Sequence, residues 1–126
     1  MIENFGIGID ISSIDKFLNK PFEKNQSFYK GIFTDQEIDY WLKFSNYSEK
    51  FAGKFALKEA LMKSIREIVI PSQIETFYLD SKPTVKILDS KETDDVSLKA
   101  DKYRFLASLS HDKGIAVAVV ISEKIK

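Results

Sequence analysis

Cysteine is absent from the chain, which removes disulfides, thiolate zinc sites and a cysteine nucleophile and agrees with a reducing compartment. An excess of charge is missing too. With 19 basic side chains against 19 acidic ones, no global field directs the chain to nucleic acid or to an anionic membrane, and any such contact must rest on a local patch. No uninterrupted apolar run is long enough to cross a bilayer, and the residues after Met1 carry no basic segment followed by an apolar one. These absences point to a soluble cytoplasmic protein with neither nucleic acid nor membrane as partner. Histidine occurs once, as His111, so a histidine pair for zinc is excluded. A Gly-rich loop ending in Lys-Ser/Thr is lacking, and Gly6-Ile7-Gly8 has no third glycine or following acid, which excludes the P-loop and dinucleotide fingerprints.

Aromatic residues are plentiful, with 10 Phe and 5 Tyr among 126 residues, enough to pack one core in a single domain over residues 1–126. From Asn4 to Ile11 the pattern alternates as in a strand. Phe5, Ile7, Ile9 and Ile11 lie on one face, and Gly6, Gly8 and Asp10 on the other. Two glycines on one side of a strand mark close approach of another backbone or a ligand. Asp10 then stands near a strand-to-helix turn, either as a turn residue or as a functional acid. Ser12 or Ser13 can cap a helix through Ile14, Phe17 and Leu18 that ends before Pro21. A polar loop follows to Ser27, and Phe28 to Phe33 reads as an apolar turn. Thr34-Asp35-Gln36-Glu37 matches a capping box for the next helix, with Ile38, Trp41, Leu42 and Phe44 on its apolar side.

The central stretch FAGKFALKEALMK, Phe51 to Lys63, is built from helix formers, and the helix is expected to run from a cap at Ser48 to about Glu67. Phe51, Phe55, Leu57, Leu61 and Met62 spread apolar area round much of its circumference, which implies burial on several sides. Glu59 and Lys63 share a sector with Ala52 and Ala56. They form either one wall of a pocket or a common surface pair at i, i+4. Two hairpins close the chain. Strands from Ile74 to Leu79 and Thr84 to Leu88 flank a turn at 80–83, and strands from Tyr103 to Ser110 and Gly114 to Ile121 flank a turn containing His111. A charged connection is expected over 91–97 and a short helix over 96–102. Helices first and strands mostly later give an α+β fold, a small antiparallel-rich sheet packed against a long central helix. Asp10 and Glu59, with Lys63 nearby, suit a hard divalent ion, Mg²⁺ in particular, and hence phosphate chemistry.

Three motifs, in order, resemble those of the holo-(acyl-carrier-protein) synthases, the small 4′-phosphopantetheinyl transferases. They are Gly6-Ile-Gly-Ile-Asp-Ile11, the Phe51 to Lys63 stretch, and Ala107-Ser-Leu-Ser-His-Asp112 followed by Ala116-Val-Ala-Val-Val120. The resemblance implies transfer of 4′-phosphopantetheine from coenzyme A to a serine of an apo acyl carrier protein, releasing adenosine 3′,5′-bisphosphate. It implies Asp10 and Glu59 as ligands of Mg²⁺, with Mn²⁺ as an alternative, and Asp10, Glu59 and Lys63 as catalytic residues. Lys54, Lys58 and His111 become coenzyme A contacts, Lys16, Lys20 and Lys24 a basic docking surface for the acidic carrier, and the assembly a homotrimer with active sites between subunits. A non-catalytic coenzyme A or nucleotide-binding module on the same fold is the alternative. Three departures stand out: Lys54 where Arg is commoner, Ser64 to Pro71 where a glycine-containing loop is usual, and Ser81 in place of the glycine of Gly-Lys-Pro.

Overall fold

The computed structural model describes residues 3–88 and 102–125. Of the segments 91–97 and 96–102, for which a surface connection and a short helix were expected, only Lys102 falls among them. In chain order the elements are β1 (Phe5–Ser13), α1 (Asp15–Leu18), a 3-10 turn (Phe22–Lys24), α2 (Gln26–Ile32), α3 (Asp35–Trp41), α4 (Tyr47–Ser64), a second 3-10 turn (Pro71–Gln73), β2 (Ile74–Leu79), β3 (Lys82–Ile87), β4 (Tyr103–Asp112) and β5 (Ile115–Lys124). The strands make a three-stranded antiparallel sheet in the order β1-β5-β4 and a separate two-stranded hairpin, β2-β3.

Helix α4 lies across the three-stranded sheet, and the glycine face of β1 sets how closely. A Cβ on Gly8 would stand 1.9 Å from the carbonyl oxygen of Ala60, and one on Gly6 would stand 1.8 Å from that of Ser64. Only residues without a side chain let the strand lie against the helix backbone there. Successive contacts at 6 and 8 on the strand match 64 and 60 on the helix, so the two run antiparallel. The C-terminal end of α4 is tied to the sheet, with Ser122 Oγ donating to Ser64 O at 2.7 Å, which satisfies a carbonyl the helix cannot use itself. Phe51, Leu57 and Leu61 of α4 are fully buried with Ala116, Ala118 and Val120 of β5, each large side chain contributing about 1.5–3 kcal/mol of apolar burial. Beyond the far side of α4 stands an aromatic cluster in which Phe33 and Tyr29 meet the Phe51 ring at centroid distances of 4.6 and 5.0 Å.

Several local expectations need correction. Helix α1 is one turn long, and Ser12 belongs to β1, where its buried hydroxyl has no partner among the described residues. Ser13 Oγ accepts from Asp15 N at 3.2 Å instead. Residues 26–32 are helical rather than a turn, because Tyr29 must be inside: its hydroxyl donates to Lys20 O at 2.7 Å and its ring is fully buried. The capping box forms as expected, with Glu37 N donating to Thr34 Oγ1 and Thr34 N to Glu37 Oε1. Helix α4 starts after Asn46 rather than at a Ser48 cap, and ends at Ser64 rather than near Glu67. Both hairpin turns are tighter than expected. The first is Asp80-Ser81, at φ 52° and 66°, and the second Lys113-Gly114, at φ 50° and 79°, both of the kind that matches strand twist. Ser81 thus occupies a left-handed position that costs a non-glycine residue roughly 1–2 kcal/mol. His111 accordingly sits in β4, paired with Ala116, and not in the turn.

Candidate active site

Asp10 and Lys63 meet where β1 crosses the last turns of α4. Lys63 Nζ donates to Asp10 Oδ1 at 2.9 Å and to Ile9 O at 3.2 Å. Asp10 is on the glycine face of β1, so the close approach at Gly8 also brings its carboxylate to the helix. Glu59 lies one turn before Lys63 on the same side, about 6 Å along the axis, and takes no ion pair among the described residues. The Lys63 side chain is 56% exposed, leaving the group open to a ligand. Three described clefts, with volumes of ≈ 460, ≈ 300 and ≈ 110 Å³, are lined by other residues.

Two carboxylates from facing elements are a hard-oxygen donor set. Asp10 retains its second oxygen beside the one given to Lys63, and Glu59 has both. Such a set fits Mg²⁺, which commonly takes one or two carboxylates and completes its octahedron with water and substrate phosphate. Among the described residues no cluster of three or more His, Cys, Asp or Glu is gathered, so the protein alone would not enclose an ion.

Lys58 stands elsewhere. It is fully buried, and Nζ contacts Glu37 Oε1 at 2.6 Å, Ile74 O at 2.7 Å, Ile32 O at 2.9 Å and Pro71 O at 3.0 Å. With every N–H committed inside the protein, the expected phosphate contact is corrected to an internal ion pair. Burial lowers its pKa, and Glu37, then Glu75, oppose the shift. Four acceptors keep the group an ammonium. The other Glu37 oxygen accepts from Thr76 N at 2.9 Å and from the Thr76 hydroxyl.

Lys54 is 1% exposed. Its ammonium donates to the Tyr78 hydroxyl at 2.9 Å and lies 4.1 and 4.5 Å from the Tyr78 and Trp41 ring centroids. At this burial Lys54 is covered by its own protein rather than open to a ligand. Burial, with the Lys50 charge and against that of Glu37, brings its pKa down to about 7. His111 packs over Gly53: a Cβ there would come within 2.9 Å of its Cε1. Its Nδ1 is 3.8 Å from Glu49 Oε1, and burial holds it below the ordinary histidine pKa, Glu49 opposing and Lys54 and Lys50 assisting. Gly53 precedes Glu59 by six residues, about 9 Å of helix, so one protomer does not bring His111 to the acids.

The basic residues near the first strand are all exposed. Lys16 Nζ lies 3.8 Å from the Phe55 ring centroid, Lys20 Nζ lies 5.0 Å from that of Phe28, and Lys24 is in the 3-10 turn. The unusual segment after Lys63 is pinned at Glu67, which accepts from the Tyr103 hydroxyl and from Lys124 Nζ at 3.0 Å. No described helix is long and apolar enough to cross a membrane.

Glu37, Thr76 and Lys58 as an internal network went unread in the sequence. The usable signal was α4 itself: a helix apolar on several sides has few places for three lysines in ten positions, so some must be inside and paired.

The 4′-phosphopantetheinyl transferase superfamily profile matches residues 6–120. A holo-[acyl-carrier-protein] synthase from Caldicellulosiruptor bescii is 34% identical over 124 residues, covering 95% of this chain and 98% of that protein. One from Geobacter sulfurreducens is 34% identical over 127 residues, with the same coverage, 95% and 98%. Among solved structures, a Bacillus anthracis holo-(acyl-carrier-protein) synthase in complex with CoA (3′,5′-ADP) superposes with a TM-score of 0.71 at 29% identity, covering 95% of this chain and 96% of that one. The Helicobacter pylori enzyme in complex with coenzyme A gives 0.66 at 31% identity, covering 93% and 99%. On motif order, fold and full-length similarity together, the chain belongs to the 4′-phosphopantetheinyl transferase superfamily, within its holo-(acyl-carrier-protein) synthase family.

Proposed function

We propose that this protein transfers 4′-phosphopantetheine from coenzyme A to a serine hydroxyl of an apo acyl carrier protein, releasing adenosine 3′,5′-bisphosphate. The observation that carries the reading is the meeting of Asp10 and Lys63 at 2.9 Å, with Glu59 one helical turn away. Asp10 and Glu59 would hold Mg²⁺, or Mn²⁺, which supplies charge neutralisation at the diphosphate. The serine oxygen forms a bond to the pantetheine-side phosphorus, and the bond from that phosphorus to the bridging oxygen breaks. Glu59, directly or through water, accepts the serine proton. Lys63 neutralises or protonates the departing phosphate, since phosphoryl displacement is catalysed chiefly by positioning and charge. The nucleotide extends toward His111.

The carrier docks on Lys16, Lys20 and Lys24, whose charges suit an acidic partner. Self-association, as the homotrimer the resemblance implies, is supported by the outer face of the three-stranded sheet. Phe5, Ile7, Ile9, Ile11, Leu106 and Ile121 all point to solvent there, Ile7 at 68% and Leu106 at 72% exposure. A contiguous apolar face of this kind is typical of a covered surface.

Incubation with coenzyme A, MgCl₂ and an apo carrier, followed by mass spectrometry of the carrier, tests the reading. A phosphopantetheine increment that disappears with EDTA is expected. Coenzyme A binding without the increment would leave only the non-catalytic module.

A further inference from the structure

Lys58 and Glu59 are neighbours in sequence that differ in setting, one fully buried and the other half-buried. At ~100° per residue, Glu59 is turned about 100° from Lys58 and Lys63 about 140°. Fixing Lys58 therefore fixes the rotation of α4 that presents the other two to Asp10. We propose that Lys58 and Glu37 are a positioning pair: their buried contact sets the roll of α4, and so the aim of Glu59 and Lys63 at β1. This rests on the transferase reading above.

The contacts have the character of a lock rather than a single bond. Nζ of Lys58 joins four segments outside α4. It reaches the end of α2 through Ile32 O, the first turn of α3 through Glu37, the 3-10 turn after the Ser64–Pro71 segment through Pro71 O, and the start of β2 through Ile74 O. Glu37 is held in turn by Thr34 N at 2.8 Å and by Thr76 N at 2.9 Å. An apolar side chain at 58 could fill the volume yet slide. An ammonium with acceptors at 2.6–3.0 Å on several sides has one position. Buried ion pairs contribute little to net stability compared with a well-packed apolar pair, and a role in fixing register is their best-attested use. The opposite side of α4 is held by the Gly6 and Gly8 contacts, which set its distance from β1, while the buried Lys58 contacts add a directional constraint to the apolar packing of its other faces.

The test is the double variant Glu37→Leu with Lys58→Met, which removes both charges together. Lys58→Met alone is the second variant, since Glu37 then keeps its donors from Thr34 and Thr76. Ile87→Val, a one-methylene core trim in β3 that leaves both charges in place, serves as a control for lost stability. Assays run well below each melting temperature, with folding checked by circular dichroism. The expected result is a kcat lower by roughly 10- to 100-fold, the scale of a small misplacement of reacting groups. KM for coenzyme A stays within about threefold, the Mg²⁺ requirement rises, and the control keeps wild-type kcat. A folded double or single variant with wild-type kcat and Mg²⁺ requirement would overturn the positioning role, as would an equal loss in the Ile87→Val control. If the wild-type protein transfers nothing, the transferase reading falls and takes the pair's catalytic role with it. An active wild type beside an undiminished variant removes the positioning alone.

Discussion

Lys63 spans the gap between α4 and β1 to reach Asp10, and the same ammonium also touches Ile9 O, so one cation is held by two adjacent residues of the strand. The Asp10 carboxylate is therefore shared, Oδ1 with Lys63 and the second oxygen with any ion it binds. Lys63→Gln frees the carboxylate while removing the charge opposite the leaving phosphate. We expect kcat to fall by roughly 10²–10³-fold, as for loss of one preorganised donor, with no rise in the MgCl₂ concentration for half-maximal rate. Asp10→Asn should raise that concentration. A titration in which Lys63→Gln weakens the ion as much as Asp10→Asn does would contradict this division of labour.

Gly8→Ala separates two opposing effects. Alanine in a strand is ordinarily favoured over glycine by about 0.5–1 kcal/mol. Here the new methyl would lie 1.9 Å from Ala60 O, so β1 and α4 must part. A net destabilisation of about 1–3 kcal/mol is expected, read as a lower urea midpoint. An unchanged midpoint would mean that the strand and helix are not packed as described.

Lys54 makes stability depend on pH with a definite sign. In the folded protein it loses its proton at about 7, against 10.5 for the free side chain. Between those values the unfolded chain binds more protons, so stability rises with pH, at up to ~1.4 kcal/mol per pH unit from this group. Below pH 7 both states are protonated and the contribution to the slope ends. Urea unfolding of wild type and Lys54→Met between pH 7 and 9.5 isolates it, the variant having the flatter profile. Parallel profiles would place Lys54 in a wetter setting than the cage of Trp41 and Tyr78.

Charge reversal at Lys16, Lys20 and Lys24 acts on the carrier alone. The triple change to Glu should raise KM for an acidic carrier by tenfold or more at low salt, an effect diminishing as salt is added. Coenzyme A affinity, measured by calorimetry, should remain as in wild type. Equal carrier KM values for the two proteins would move docking to another surface.

Leu106→Glu places a charge on the exposed apolar face of the sheet, in its edge strand β4 beside Ile121. Sedimentation equilibrium should find wild type associated and the variant as separate protomers, because a buried unpaired carboxylate costs several kcal/mol. Wild type sedimenting as one protomer would leave the face without a partner copy.

The alternation in β1 made its glycine face legible, and with it the side on which Asp10 would be used. Thr34 and Glu37 announced their helix correctly because capping is local, needing only four residues. Helix α2 was not legible, since its polar residues and single Gly31 give no period. What makes it helical is the burial of Tyr29 against Phe17, Phe22 and Phe51, a tertiary cause. The roles of Lys54, Lys58 and Glu59 could not be told apart by residue type or motif. Each role depends on which elements close over α4, and those come from Ile32, Trp41, Pro71, Ile74 and Tyr78, remote in sequence.

The two bare positions in β1 have a consequence for how such a site survives change. Where strand meets helix at Gly6 and Gly8, peptide groups touch peptide groups, and the gap between them is a constant of main-chain chemistry rather than a sum of side-chain sizes. Substitutions elsewhere in the interior can swell or shrink the layers without altering that gauge. The spacing from acid to ammonium is thereby insulated from drift in the remainder of the chain.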